Sequence, residues 1–87
     1  MSSEIFYKKV IELVIRSTER ELSDDDITLS SHFQNDLMFD SISAMTLAVY
    51  IQEEFGVDVS EDIERYHNVQ TVEELAGFIK NKMEVNK

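Results

Sequence analysis

There is no cysteine in this 87-residue chain, which excludes disulfides, a cysteine-ligated metal and a cysteine nucleophile together. No apolar run approaches the roughly 20 residues that a bilayer-spanning helix needs. The opening Met-Ser-Ser-Glu-Ile-Phe-Tyr-Lys-Lys lacks a signal peptide's order of basic region, apolar core and small-residue cleavage site. A cytoplasmic protein is the expectation. Basic side chains are missing from the middle of the chain. Between Arg20 and Arg65 stand twelve acidic residues and no Lys or Arg, whereas residues 1–20 and 65–87 each carry four basic and three acidic side chains. The net charge of −10 is therefore concentrated in one segment. Such a segment repels nucleic acid and anionic membranes and steers basic protein surfaces toward itself. A plain solubilising face is the other reading of a charge run, and the one-sidedness here favours steering. The length makes 1–87 a single domain, expected to be monomeric, that buries about 60–65% of its surface on folding.

The residues for catalysis are also missing. The two histidines, His32 and His67, lie on different segments, and neither has ligand or triad spacing to another group. Nucleophilic serine chemistry needs a base within hydrogen-bond reach and an orienting group behind it. The chain reads as a non-enzyme. The aspartates invite a calcium reading, which spacing rejects. A loop starting at Asp24 needs Gly and Glu where Leu29 and Asn35 stand, and one starting at Asp58 needs them where Ile63 and Val69 stand. No metal site is expected.

What is present is helical periodicity. Ser2 or Ser3 caps a first helix over about 4–20, with Phe6, Val10, Leu13, Val14 and Ser17 on one side. Residues 21–40 form a long irregular connection. Asp24-Asp25-Asp26 and Ser30-Ser31 stop helix, and Ile27, Leu29, Phe33 and Leu37 pin the segment to a core. A second helix over about 41–55 puts Ala44, Leu47, Ala48, Ile51 and Phe55 on its core face and stops at Gly56. Ser60 caps a short third helix near 61–66, with Glu61 and Asp62 in its first turn. Thr71-Val72-Glu73-Glu74 is a capping box opening a fourth helix over about 71–83. Residues 84–87 make a frayed tail. The expected fold is all-α, a small four-helix bundle with a long loop between helices 1 and 2 and a short third helix.

The second helix holds the candidate site. Asp40 is a favoured N-cap residue, and Ser41 then sits in the first turn, at the positive end of the helix dipole. A phosphate on that hydroxyl is well tolerated there. A second apolar stripe, Ile42, Met45 and Val49, lies away from the core face, with Glu53 beyond it. A one-sided amphipathic helix does not require it. It either packs beneath the long loop or forms a docking strip, for which polarizable Met45 is well suited.

The run Asp36-Leu37-Met38-Phe39-Asp40-Ser41-Ile42, continued by Met45, Leu47, Ile51 and Glu53-Glu54-Phe55-Gly56-Val57, resembles the acyl carrier protein family. The resemblance covers about Ile27 to Ile79, and the first helix more loosely. In that family an Asp-Ser-Leu or Asp-Ser-Ile motif carries a 4'-phosphopantetheine arm on its serine, here Ser41. The resemblance implies a phosphopantetheinyl transferase that uses coenzyme A and magnesium. It also implies acyl-activating, condensing or transferring enzymes whose basic surfaces dock on Ile42, Met45, Val49 and Glu53. Acyl groups would ride on the arm's thiol as thioesters, in fatty-acid, polyketide or related biosynthesis. The family often has Gly-Ala or Gly-Phe where Met38-Phe39 stands, and fatty-acid carriers are often acidic where Ser43 and Thr46 are neutral. The Phe-Asp-Ser-Ile form is more similar to carriers of polyketide or other specialised pathways. An aminoacyl or peptidyl carrier would use the same motif, and an unmodified acidic helical adaptor would use the same surface.

Overall fold

The computed structural model describes residues 3–18 and 21–85. Among these the architecture is all-α, as the periodicity predicts: α1 (Ser3–Ser17), α2 (Ser41–Phe55), α3 (Ile63–Asn68) and α4 (Val72–Val85). No described helix is long and apolar enough to cross a membrane. The stripe of α1 is buried at Phe6, Val10, Leu13, Val14 and Ser17. The helix ends at Ser17, earlier than its predicted span of 4–20, and in its last turn the Ser17 hydroxyl donates to the Val14 carbonyl at 2.9 Å. Ser3 is the first helical residue rather than its cap. Ser2 and residues 19–20 lie outside the described residues.

The long connection opens with a 3₁₀ turn over Asp24–Asp26 and buries Ile27, Phe33 and Leu37, with Leu29 half-buried. It is sewn to the start of α4. The Phe33 amide donates to the Gln70 carbonyl at 2.9 Å. The Val72 and Glu73 amides donate back to the carbonyls of Ser31 and Leu29 at 3.1 and 2.9 Å. Those last two are amides of the first turn of α4, which have no partner within the helix. The connection thus ends the bundle on one side and fixes where α2 begins.

On α2, Leu47 and Ile51 are buried and Ala44, Ala48 and Phe55 half-buried, so the core face of the wheel is the observed one. The ring of Phe55 meets Phe6 of α1 at 5.5 Å between centroids, Arg16 lies over the Tyr50 ring at 4.9 Å, and Lys9 pairs with Glu54. The helix stops at Gly56, whose φ of 69° is left-handed and whose amide reaches the Gln52 carbonyl at 2.9 Å. Nothing stands within 4 Å of where a Cβ would be, so Gly56→Ala isolates the backbone cost. It is expected to lower the unfolding free energy by about 1 kcal/mol in urea titration, the penalty of a left-handed L-residue.

Two predicted boundaries are corrected. The segment predicted as a helix over 61–66 is a 3₁₀ turn over Val59–Asp62 followed by α3 at Ile63–Asn68. The cap belongs to Asp58, whose carboxylate accepts the Ser60 amide at 3.0 Å and the Ser60 hydroxyl at 2.5 Å, so Ser60 does not cap α3. The predicted tail at 84–87 is still helix at Glu84 and Val85, with 86–87 outside the described residues. Its last turns are held by half-buried Met83 and by Lys82, whose ammonium lies 3.2 Å from Asp62. Thr71 caps α4 as predicted, its hydroxyl accepting the Glu74 amide at 3.2 Å and donating to the Glu74 carboxylate at 3.1 Å.

Candidate functional site

Ser41 is the first residue of α2 and is exposed. Asp40 ahead of it is extended, with φ −107° and ψ −178°, and its carboxylate accepts the Ser43 amide at 2.7 Å. That bond, with help from the Ser43 hydroxyl, holds the Asp40 carboxyl below its ordinary value of 3.8. The cap therefore engages Ser43 and leaves the Ser41 hydroxyl projecting at the helix start. A depressed folded value adds stability above the ordinary carboxylate range, and this is lost as pH falls through the folded value. The stability difference between the wild type and Asp40→Asn should be flat from about pH 7 to 5 and shrink below about pH 4. Urea unfolding of both proteins over that range measures it; a difference that stays flat to the lowest pH would mean the carboxylate is not the cap.

The approach to Ser41 is bent. Met38 adopts a left-handed backbone, φ 53°, the only described non-glycine residue to do so. This is the position where the resemblance places a glycine, which takes that conformation without strain. The turn is closed by the Phe39 amide donating to the Phe33 carbonyl at 2.8 Å, and the two rings meet at 5.1 Å.

The two faces of α2 separate cleanly. Ile42, Met45 and Val49 are 71%, 68% and 54% exposed, so the second stripe does not pack beneath the loop. Glu53 is exposed at the far end of the same helix. Of the six large apolar side chains exposed among the described residues, four are Met38, Ile42, Met45 and Val49, all close to Ser41 in sequence. Met38 was not foreseen as part of this group.

Behind Ser41 lies a cleft of about 480 Å³, within the range of small-molecule pockets. Ser41, Asp40 and Met45 are among its exposed lining residues, and Leu47 and Leu75 are its most deeply buried ones. Tyr66 of α3 also lines it. Its hydroxyl donates to the Ala44 carbonyl of α2 at 2.6 Å, joining the two helices, and burial pushes the phenol above its ordinary value. His32 and His67, unrelated in sequence, both line a smaller cleft of about 130 Å³ that shares Phe33, Gln34, His67 and Val69 with the first. No local pattern announced this: the loop is joined by long-range backbone bonds to residues 70–73, just beyond α3. Among the described residues no group of three or more His, Cys, Asp or Glu is placed to share a metal ion.

Residues 8–79 match the family model described as "Phosphopantetheine attachment site". An acyl carrier protein of Cyanidium caldarium is 36% identical over 84 residues, covering 94% of this chain and 95% of the relative. One of Lactobacillus acidophilus is 30% identical over 81 residues, 93% of this chain and 96% of the relative. One of Petrotoga mobilis is 26% identical over 86 residues, 99% and 96% respectively.

Proposed function

This chain belongs to the acyl carrier protein family, whose covalent prosthetic group is 4'-phosphopantetheine, and from that premise we propose that Ser41 carries the arm. The observation that carries this reading is the exposed Ser41 hydroxyl at the start of α2, freed by a cap that is spent on Ser43. The phosphodiester would sit at the positive end of the helix dipole. Asp40 is then a positioning residue that holds the helix start. The arm's thiol carries acyl groups as thioesters, and the adjoining cleft shelters them between visits to enzymes. Coenzyme A supplies the arm, and a separate transferase does the chemistry; the chain is a carrier and not a catalyst.

The docking surface in this reading is the Ile42–Met45–Val49 strip with Glu53. Its exposure supports it, and so does charge placed against local stability. Glu53 and Glu54 occupy the negative end of α2, where no basic residue stands in the last turn. Lys9 compensates Glu54, and Glu53 remains outward, available to a basic partner surface. Weak, electrostatically steered docking suits a carrier that must visit several enzymes. Neutral Ser43 and Thr46, one buried and the other donating to the Ile42 carbonyl at 2.9 Å, favour a polyketide-type or other specialised pathway over fatty-acid synthesis.

The test is intact mass after incubation with coenzyme A, magnesium and a broad-specificity phosphopantetheinyl transferase. One phosphopantetheine addition supports the reading. No addition on a sample shown to be folded replaces it with the unmodified acidic adaptor.

A further inference from the structure

The left-handed backbone of Met38, φ 53°, crowds an L-residue's Cβ against the following carbonyl. The turn around it is fixed from both sides. Leu37 is buried, and its amide and that of Asp36 donate to the His32 carbonyl at 3.0 and 2.9 Å. On the other side the Phe39 amide bonds the Phe33 carbonyl, and the two rings meet. These contacts impose the backbone at position 38, and a glycine would satisfy them without strain. The Met38 side chain takes no part in them. It is 69% exposed, stands outside the core cluster and lines neither cleft. Residues held in strained conformations concentrate where function uses them, and here the fold itself makes no use of the side chain.

We infer that Met38 is a docking contact of the transferase that modifies Ser41. It is a second apolar anchor, placed before the serine in the chain where Ile42, Met45 and Val49 come after it. The inference rests on the carrier reading above and deepens it by naming a side chain this partner grips. Three peptide units join Met38 to Ser41, so their Cα atoms lie within about 11 Å even if the chain is fully extended. One side of a standard protein interface covers about 800 Å², a disc of roughly 16 Å radius. An enzyme centred on the Ser41 hydroxyl therefore reaches Met38. Exposed Asp36 and Asp40 flank the methionine, and their charge favours a basic enzyme surface there. The transferase is the partner because its chemistry takes place at the Ser41 oxygen itself, so its active site must close over this turn. Later enzymes receive their cargo at the far end of the arm and have no such requirement.

The experiment measures initial rates of loading on the unmodified full-length chain, with coenzyme A, magnesium and the transferase, over a range of carrier concentrations. Met38→Gln keeps the length of the side chain and the strain of an L-residue but removes the apolar end. Met38→Gly removes the side chain and the strain together. In both, KM for the carrier should rise about three- to tenfold, the effect of losing part of one apolar side chain's burial. The kcat should stay within about twofold, because a docking contact is made in the ground state and the transition state alike. Met38→Leu keeps an apolar side chain and should recover most of the loss. Urea unfolding of Met38→Gly should give a midpoint at or above that of the wild type. A KM for Met38→Gln within about twofold of the wild type, or an equal rise in Met38→Leu, overturns the inference. So does a loss confined to kcat, which would make Met38 a positioning residue for the turn. A clearly lower urea midpoint for Met38→Gly overturns it too, since the side chain would then serve the fold. Failure of the folded wild type to accept phosphopantetheine is a separate result, which overturns the carrier reading and this inference with it.

Discussion

Ser41→Ala is expected to leave the fold standing and to abolish phosphopantetheine addition completely. The Asp40 carboxylate bonds the amide and hydroxyl of Ser43, so removing the Ser41 hydroxyl breaks no cap. Alanine is also the better helix former, and the position is exposed, so stability should change by no more than about 0.5 kcal/mol. The chemical effect is total because the hydroxyl oxygen becomes part of the product. It attacks the phosphorus next to the pantetheine and loses its proton, and adenosine bisphosphate departs as the pyrophosphate bond breaks. A methyl group offers no oxygen. Ser43 is the nearest alternative hydroxyl on the helix, but it is buried and turned to Asp40. Intact mass of wild type and variant after the same incubation reads the result. An adduct of the same mass on the variant would move the attachment to another side chain.

Much of this site was legible because its determinants are local. An N-cap aspartate, a serine one residue later and a glycine stop fourteen residues beyond Ile42 are short-range facts, and the predicted and observed spans of α2 coincide. The capping box at Thr71 was legible for the same reason. Local signals failed where a cap competes with a neighbour. Ser60 reads as an N-cap, yet Asp58 captures its amide and hydroxyl and makes a 3₁₀ turn first, which delays α3 to Ile63. The end of α4 failed for a different reason. Lys82 reads as a charge suited to the helix dipole, but its partner Asp62, twenty residues earlier, holds the last turns helical. The cleft was invisible because it is tertiary. Tyr66 reaches Ala44 across 22 residues, and His32 and His67 line one cleft in a fold where the loop is paired with the start of α4. Periodicity marked the Ile42–Met45–Val49 stripe but left its environment undecided, since burial depends on where the loop goes.

The loop goes elsewhere, and so two nearby positions on opposite faces of α2, Met45 and Leu47, should separate function from stability. Met45→Glu places a charge on a side chain that is 68% exposed, and the free protein should lose little, within about 0.5 kcal/mol. Leu47→Ala, two residues further along α2 on a side chain 2% exposed, removes core volume and should cost about 2–5 kcal/mol. In a domain this small that is a large share of the total stability. The functional consequences reverse. On docking, Met45→Glu must bury a carboxylate against a surface selected to meet a thioether, and desolvating an unpaired charge is far costlier than losing one contact. The kcat/KM of the transferase for Met45→Glu should therefore fall by about ten- to a hundredfold, corresponding to roughly 1.4–2.8 kcal/mol. Leu47→Ala, assayed at a temperature where it remains folded, should keep kcat/KM within about threefold, since its side chain is turned to the core and away from the partner. Urea unfolding gives the first pair of numbers and initial-rate loading the second. If Met45→Glu were loaded as fast as the wild type, the exposed stripe would not be the transferase's docking surface, and its exposure would need another partner to explain it.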